Sequence, residues 1–408
     1  MARAGFFKAE DKAVFKAPVR VTGCASCGLA TGCLHPRMEP TGRGKRGILV
    51  VAEAPGQTED ETGTQLIGKV GQRFRRTLEA LHIDLDNDCI KTNACRCRPR
   101  DSDGNNRPPT NEEVAACRSY VFELIKDFKP TVILALGGSA LYSLLQGRWK
   151  HDSDYKVQRW RGLTIPDHEL NVWLCPTFHP SFVERSDYNA PAVDVIWQRD
   201  LKAAIHLAGQ TLLKKPIPEV TQLRTPARIT QYLHGIYKHS TIIAFDYETT
   251  GLKPYGKDHR IVSCSMAEDM DMAYAWLWKD IDAEGLKVYQ AIMQSKRIKK
   301  IAANIKFEHV WTRQKLGFEI QGWWWDTVTA AHVIDNRRGN GSVAFQSYTR
   351  LGVMDFKSDT QYLLKAPDSN SLNQIDKIPV DDLLQRNGLD SAYEWGIAMD
   401  QRAQMGFV

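Results

Sequence analysis

The sequence predicts an α/β protein built from two folded units. Short apolar runs at residues 47–52, 131–136 and 171–177 read as buried strands, each followed by a turn and helical spacing. That βαβα alternation predicts an α/β/α sandwich around a central parallel sheet. After Gly209 the texture changes. Lys214-Lys215-Pro216-Ile217-Pro218 reads as a basic, proline-containing linker, and a new strand–helix pattern starts behind it. A length of 408 residues suits two to three domains. The expected boundaries are 1–210 for the first unit, 211–217 for the linker and 218–408 for the second.

Composition narrows the class. Hydrophobic residues make up 43% and charged residues 25%, enough for two cores. The formal charge of +6 leans toward an anionic partner. No apolar run is long enough to span a bilayer, and the first twenty residues lack a signal-peptide apolar stretch. Those twenty residues read as an extended arm. Nine cysteines, clustered and odd in number, fit a reducing cytoplasm with a metal site better than a disulfide framework.

In order, Cys24-Ala25-Ser26-Cys27 opens the first unit, with Cys33 beyond it. The strand at 47–52 leaves into a sharp turn, Glu53 to Asp60, the position where open α/β sheets place ligand-binding groups. Gly68 to Leu81 has helical spacing with Lys69, Arg73, Arg75 and Arg76 on it. A further strand runs into Asn93, followed by Cys95, Cys97 and a polar, proline-rich loop. A helix from Asn111 to Phe128 carries Cys117. A CxxC pair plus single cysteines around a short loop is metal-site geometry, for zinc or for an iron–sulfur cluster. The plainer alternative is scattered buried thiols. Gly137-Gly138 turns the strand at 131–136 into a helix, and the strand at 171–177 ends in Phe178-His179-Pro180-Ser181. On its own, His179 reads as a loop histidine with a structural hydrogen bond.

Taken together, residues 20–208 resemble the family 4, iron–sulfur uracil-DNA glycosylases. The resemblance rests on Ala52-Glu53-Ala54-Pro55-Gly56, on Asn93 four residues before Cys97, on Asn106-Arg107-Pro108-Pro109 before Cys117, and on His179-Pro180-Ser181. It implies that Cys24, Cys27, Cys97 and Cys117 hold a 4Fe–4S cluster, with Cys95 a neighbour. It also implies a base flipped out of the stack. Asn93 would bond the uracil edge, and His179 would donate to the uracil oxygen where negative charge grows. Glu53 would orient water or stabilise the positive sugar. Ala54, Pro55, Gly56 and Gln57 would hold phosphate or base through backbone N–H groups, where the chain offers them, and Ser181 would line the site. Three features depart from the family: Ala52 replaces its usual Gly, Gln65-Leu66 replaces its Pro-Phe, and residues 98–116 contain no histidine. Leu66 covers a base face without aromatic stacking, a loss on the order of 1–3 kcal/mol.

In the second half, a helix is expected over Pro226 to Lys238. The run Ser240 to Phe245 reads as a strand entering Asp246-Tyr247-Glu248-Thr249-Thr250-Gly251. Carboxylates at i and i+2 on a strand share one side, and holding two there calls for a cation. Trp323-Trp324-Trp325 reads as core in a strand rather than as a stacking platform. A helical segment opens at Val380, and the last helix is expected to begin at Asn387.

Residues 218–408 resemble the DEDD 3′–5′ exonuclease domain of family A DNA polymerases, through Asp246-x-Glu248, Asn304-x-x-Phe307-Glu308 and Arg386-x-x-x-Asp390. The fold implied is an RNase H-like mixed sheet flanked by helices. The chemistry implied is two-metal hydrolysis, with Mg²⁺ or Mn²⁺ held by Asp246, Glu248, Glu308 and Asp390. The family's Asp is here Glu308 and its Tyr is here Arg386, which would bind phosphate instead. The whole reads as a DNA-processing fusion in a bacterium or phage-infected cytoplasm. It would combine uracil excision with metal-dependent proofreading beside a separate DNA polymerase. The rival reading is that one or both units keep the fold and serve as DNA-binding or polymerase-recruiting modules.

Overall fold

The computed structural model describes residues 23–151, 154–186, 190–354 and 360–407. The expected amino-terminal arm lies outside these. The described chain divides into two compact units after Leu212, with the short stretch from Trp149 counted with the second. No helix among the described residues is long and apolar enough to cross a membrane.

Among its described residues the first unit holds six strands: β1 (Thr41–Gly42), β2 (Ile48–Ala52), β3 (Cys89–Asn93), β4 (Val132–Leu136), β5 (Ile165–Asp167) and β6 (Val172–Thr177). Their order in the sheet is β1-β3-β2-β4-β6-β5. The inner four run parallel, as βαβ units dictate, and β2, β3 and β4 are buried along their whole length. The expectation of a parallel sheet therefore holds for its centre only. β1 pairs antiparallel with β3, and β5 antiparallel with β6. These edges are two and three residues long, too short to carry a periodic signal, and β5 contains Pro166, which an edge tolerates.

Among the described residues, eight α-helices flank or border this sheet: α1 (Cys24–Cys27), α2 (Gln57–Thr62), α3 (Lys69–Glu79), α4 (Asn111–Phe128), α5 (Gly138–Leu145), α6 (Val157–Trp160), α7 (Pro180–Ser186) and α8 (Ala192–His206). α3 buries Gly71, Phe74 and Leu78, one stripe at helical spacing, and Phe74 meets Trp197 of α8 with ring centroids 6.0 Å apart. Because the inner strands are parallel, β2, β3, β4 and β6 all end at one edge of the sheet.

The second unit has strands β7 (Glu219–Gln222), β8 (Ile242–Thr249), β9 (Ile261–Ala267), β10 (Met272–Leu277), β11 (Lys299–Ala302) and β12 (Trp323–Asp326), ordered β12-β11-β8-β9-β10-β7. β8 lies parallel to β11 and antiparallel to β9, which makes the sheet mixed. Its helices are α9 (Pro226–His239), α10 (Ala283–Gln294), α11 (Lys306–Leu316), α12 (Thr327–Ile334), α13 (Val343–Leu351) and α14 (Val380–Gln404). α9, α10 and α11 share one core with Phe245, Tyr247 and Cys264. On the other face, Ser265 of β9 donates from Oγ to the Asn387 carbonyl of α14 at 2.7 Å.

The two helical segments expected at the end of the chain are one, α14, of 25 residues. Asn387-Gly388 looks like a break but is buried mid-helix. A Cβ at Gly388 would stand 2.4 Å from Val220 Cγ1, so glycine there lets the helix lie close on β7.

Candidate active sites

The carboxyl edge of the first sheet opens into a cavity of about 530 Å³. Glu53 leaves β2, Asn93 ends β3, Gly137 follows β4, and Phe178 and His179 follow β6; all line it. Ala54, Pro55, Gly56, Gln57, Leu66 and Ser181 line it too, so this cavity gathers every candidate expected in the first unit apart from the cysteines. Gly137 has φ +89° and would set a Cβ 3.0 Å from that of His179. Glycine lets the strand turn sharply there while the histidine stays close.

His179 Nδ1 lies 3.3 Å from the Ser181 backbone nitrogen, which can only donate, and 2.8 Å from Ser181 Oγ. Nδ1 is therefore the acceptor and the proton sits on Nε2. Burial, with Arg185 adding repulsion, pushes the imidazole down to about 4, so it is neutral at physiological pH. Glu53 accepts from Ser139 Oγ at 3.2 Å. Burial raises its carboxyl above the ordinary range, against the lowering effects of Ser139 and Arg185. Asn93 is buried beside Ala52 in the strand register. Leu66 is buried with φ +56°, and its backbone stands where a Cβ on Gly71 would go. Arg185 and Phe178 also line the cavity and were not singled out from sequence. Arg185 lies on α7, six residues past His179, and no periodic signal marks it.

Cys24 and Cys27 on α1, Cys97 and Cys117 of α4 line one small cavity with Arg37, Arg96 and Tyr120. Arg37 donates from its backbone N–H to Cys97 Sγ and from Nε to Cys24 Sγ, both at 3.2 Å. Burial raises the Cys27 thiol and pushes Cys97 up to about 12, with nearby thiols adding to both. Cys95 is buried beside Cys117 and holds its proton, while Cys117, receiving that hydrogen bond, is lowered to about 6. The loop from Cys97 to Cys117 is tied down by Arg107, paired with Glu113 at 2.6 Å, and by the Thr110–Glu113 capping box of α4. Asn106, Arg107 and Pro108 of this loop reach the large cavity.

In the second unit, ligand oxygens of Asp246, Glu248 and Asp390 all lie within 4.8 Å of one another. Among the described residues they form the one such group of three or more metal-ligating side chains. Asp246 and Glu248 alternate with Tyr247 on β8 and face α14, which brings Asp390. Asn387 donates from Nδ2 to Asp246 Oδ2 at 2.7 Å, a contact the sequence did not reveal. Arg386 donates from Nε to Glu248 Oε1 at 3.2 Å.

Glu308, expected as the fourth carboxylate, is not in the group. It sits on α11, 2% exposed, and its Oε2 is buried without a partner. Burial drives its carboxyl well above the ordinary range, with Asp326 adding to the shift. Its charge would act on Tyr247 and Cys264, and the charge of Asp246 acts on Cys264 as well. The tryptophans of β12 are half-buried on an edge strand and pack against the unit's apolar clusters, with the Arg402 guanidinium 4.0 Å over the Trp324 ring and Trp325 Nε1 donating to Gln401 at 2.9 Å.

Comparison with known proteins follows the same division. A family profile for the uracil DNA glycosylase superfamily matches residues 40–201, and one for 3′-5′ exonuclease matches residues 221–377. The type-4 uracil-DNA glycosylase of Pyrobaculum aerophilum is 37% identical over 163 residues, 39% of this chain and 77% of that protein. That of Thermotoga maritima is 34% identical over 172 residues, 42% of this chain and 82% of that protein. Among solved structures, the POL domain of Pol1 from M. smegmatis aligns with TM-score 0.33 and 11% identity, covering 46% of this chain and 28% of that one. The chain thus spans under a third of that polymerase structure. By its first unit the chain belongs to the type-4 uracil-DNA glycosylase family, and it carries behind that unit a 3′-5′ exonuclease domain of the DNA polymerase A type.

Proposed function

We propose that the first unit hydrolyses the bond between uracil and deoxyribose in DNA, and that the second removes nucleotides from DNA 3′ ends with a divalent cation. The observation that carries the first reading is the convergence of Glu53, Asn93 and His179 on one cavity at the strand ends. The Asn93 amide offers a donor and an acceptor to a flipped base edge. As the C1′–N1 bond breaks, its electron pair passes to the uracil ring, and a neutral His179 donating from Nε2 stabilises the oxygen where that charge collects. Water oxygen bonds to C1′, and ionised Glu53 orients that water and takes its proton.

The donor set at the cysteines fits a 4Fe–4S cluster. Four thiols line one cavity, and N–H donors from Arg37 already address two of the sulfurs. A tetrahedral zinc with bonds of about 2.3 Å would need its sulfurs roughly 3.8 Å apart. No three of these cysteines come that close, which favours the larger group. Cys24, Cys27, Cys97 and Cys117 would hold it, and its service is to brace the loop from Cys97 to Cys117 that borders the cavity. In the second unit, Asp246, Glu248 and Asp390 would hold Mg²⁺ or Mn²⁺, which supplies Lewis acidity toward a phosphate oxygen. Joined in one chain, the two activities suit repair or proofreading alongside a DNA polymerase.

The Arg386–Glu248 pair, and a triad that does not include Glu308, favour a second reading of the exonuclease unit, as a DNA-docking module without chemistry. Incubating uracil-bearing and ordinary oligonucleotides with Mg²⁺ or with EDTA, then alkali, separates the readings. Cleavage confined to uracil and indifferent to EDTA is the outcome expected of the first unit. Metal-dependent laddering from the 3′ end is expected of the second, and its absence would leave docking as that unit's role.

A further inference from the structure

The cysteine cavity draws on two parts of the chain that lie far apart in sequence. Cys24 and Cys27 belong to α1, whereas Cys97 and Cys117 come from the loop after β3 and from α4 behind it. One residue outside both parts reaches a sulfur of each. Arg37 donates from its backbone N–H to Cys97 Sγ and from Nε to Cys24 Sγ, both at 3.2 Å. It does so at φ +56°, in the left-handed region that residues with a Cβ seldom enter. It lines the cavity and is itself exposed, so it stands at the mouth.

Arg96, between Cys95 and Cys97, holds that conformation. It is buried, its guanidinium lies 3.4 Å over the Tyr120 ring of α4, and it donates to the carbonyls of Arg37 and Met38. The Met38 N–H donates back to the Arg96 carbonyl at 3.0 Å. Glu39 accepts from Arg96 at 2.6 Å and from the Tyr120 hydroxyl at 3.1 Å. Residues 37–39 are thus fastened to the cysteine loop and to α4, and from that anchorage the Arg37 side chain reaches α1. Helix α1 needs such a tie. It has four residues and a glycine at each cap, and a single turn does not stand alone in water.

We infer that Arg37 is a positioning residue for the iron–sulfur cluster, coupling the Cys24–Cys27 pair to the Cys97–Cys117 pair and slowing the loss of iron. This rests on the cluster reading of the cysteines. N–H donors to ligand sulfurs tune such groups, and a bond from a charged donor is stronger than one from a neutral donor.

The test uses the full chain as purified. It reads iron content, the resonance Raman bands of the iron–thiolate bonds, and the rate at which excess chelator bleaches the visible absorbance. Arg37→Gly suits the left-handed backbone and keeps its N–H, so it removes the side chain without straining the loop. With far-UV circular dichroism unchanged, it should bleach about fivefold faster, the worth of one hydrogen bond. An iron–thiolate band should also move to higher frequency, because Cys24 is relieved of a donor. Unmoved bands or an unchanged rate in iron-bearing Arg37→Gly would overturn this inference and leave the cluster reading standing. Unaltered protein without iron would overturn both. A folded Arg37→Gly purified without iron would be the expected result at its extreme. Should that variant not fold, Arg37→Met, which keeps a long side chain and lacks the donor, is read by the same three measurements.

Discussion

His179 and Glu53 share a cavity and are shifted by the same cause, burial, in ways that divide their titrations. The histidine is pushed down to about 4, while the carboxyl is raised. In the proposed reaction Glu53 must be ionised to take a proton from water, whereas His179 donates from Nε2 whether neutral or protonated. As acid is added, Glu53 is protonated first. The acid limb of the uracil-excision profile therefore belongs to Glu53 and lies above the ordinary carboxylate value of about 4.3. Glu53→Gln should lower the rate and flatten that limb, whereas His179→Gln should lower the rate by about 10²–10³ and keep it. The initial rate on a uracil oligonucleotide from pH 4.5 to 8 checks both. For stability, the depressed histidine makes a contribution that is complete above about 6.5 and falls as pH drops toward about 4, because the unfolded chain takes the proton first. These proposed roles were readable only in combination. A lone histidine after a strand reads as structural, and it is the shared cavity with Glu53 and Asn93 that supports the proposed role. Spacing along a chain does not say how a helix is rotated on its sheet, so sequence alone could not place Glu308 relative to the triad.

Helix α3 meets the cavity wall at one glycine. A Cβ on Gly71 would stand 2.1 Å from the Leu66 carbonyl carbon and 2.2 Å from its oxygen. Helix propensity alone favours alanine over glycine by about 1 kcal/mol. Forcing backbone apart costs about 1–3 kcal/mol or more, so the clash decides the sign. Gly71→Ala should destabilise the first unit by about 1–2 kcal/mol in denaturant unfolding. It should also raise KM for uracil-bearing DNA, because Leu66 lines the cavity. At the start of α4, Thr110 accepts from the Glu113 N–H at 3.3 Å while Glu113 accepts from the Thr110 N–H at 2.8 Å. Thr110→Ala should cost about 1 kcal/mol in the same measurement, with the Arg107–Glu113 pair still holding the loop. The inner strands β2, β4 and β6 were legible because burial on both faces writes largely continuous apolar runs. β1 and β5 were not, being too short for any period. The middle of α14 was obscured by Asn387 and Gly388, whose placement answers to Asp246 and Val220 and not to helix propensity.

Each unit has its own sheet and its own apolar core, one around Phe74, Leu134 and Trp197 and one around Phe245, Tyr289 and Trp311. The triad of Asp246, Glu248 and Asp390 draws on β8 and α14 of the second unit alone. In the apo protein these carboxylates repel one another, and Arg386 and Asn387 offset part of that charge. An ion that binds the folded triad and not the unfolded chain stabilises by about 2.7 kcal/mol at a hundred times its dissociation constant. A domain near 190 residues then gains roughly 5–10 °C, since each kcal/mol moves its midpoint by about 2–4 °C. Calorimetry of the full chain should therefore show two transitions, with saturating Mn²⁺ raising one and leaving the other in place. The transition that moves should be the one unaffected by Gly71→Ala, and Asp246→Asn should abolish the shift. A shift that survives Asp246→Asn would mean that the cation acts somewhere other than the carboxylates on β8 and α14.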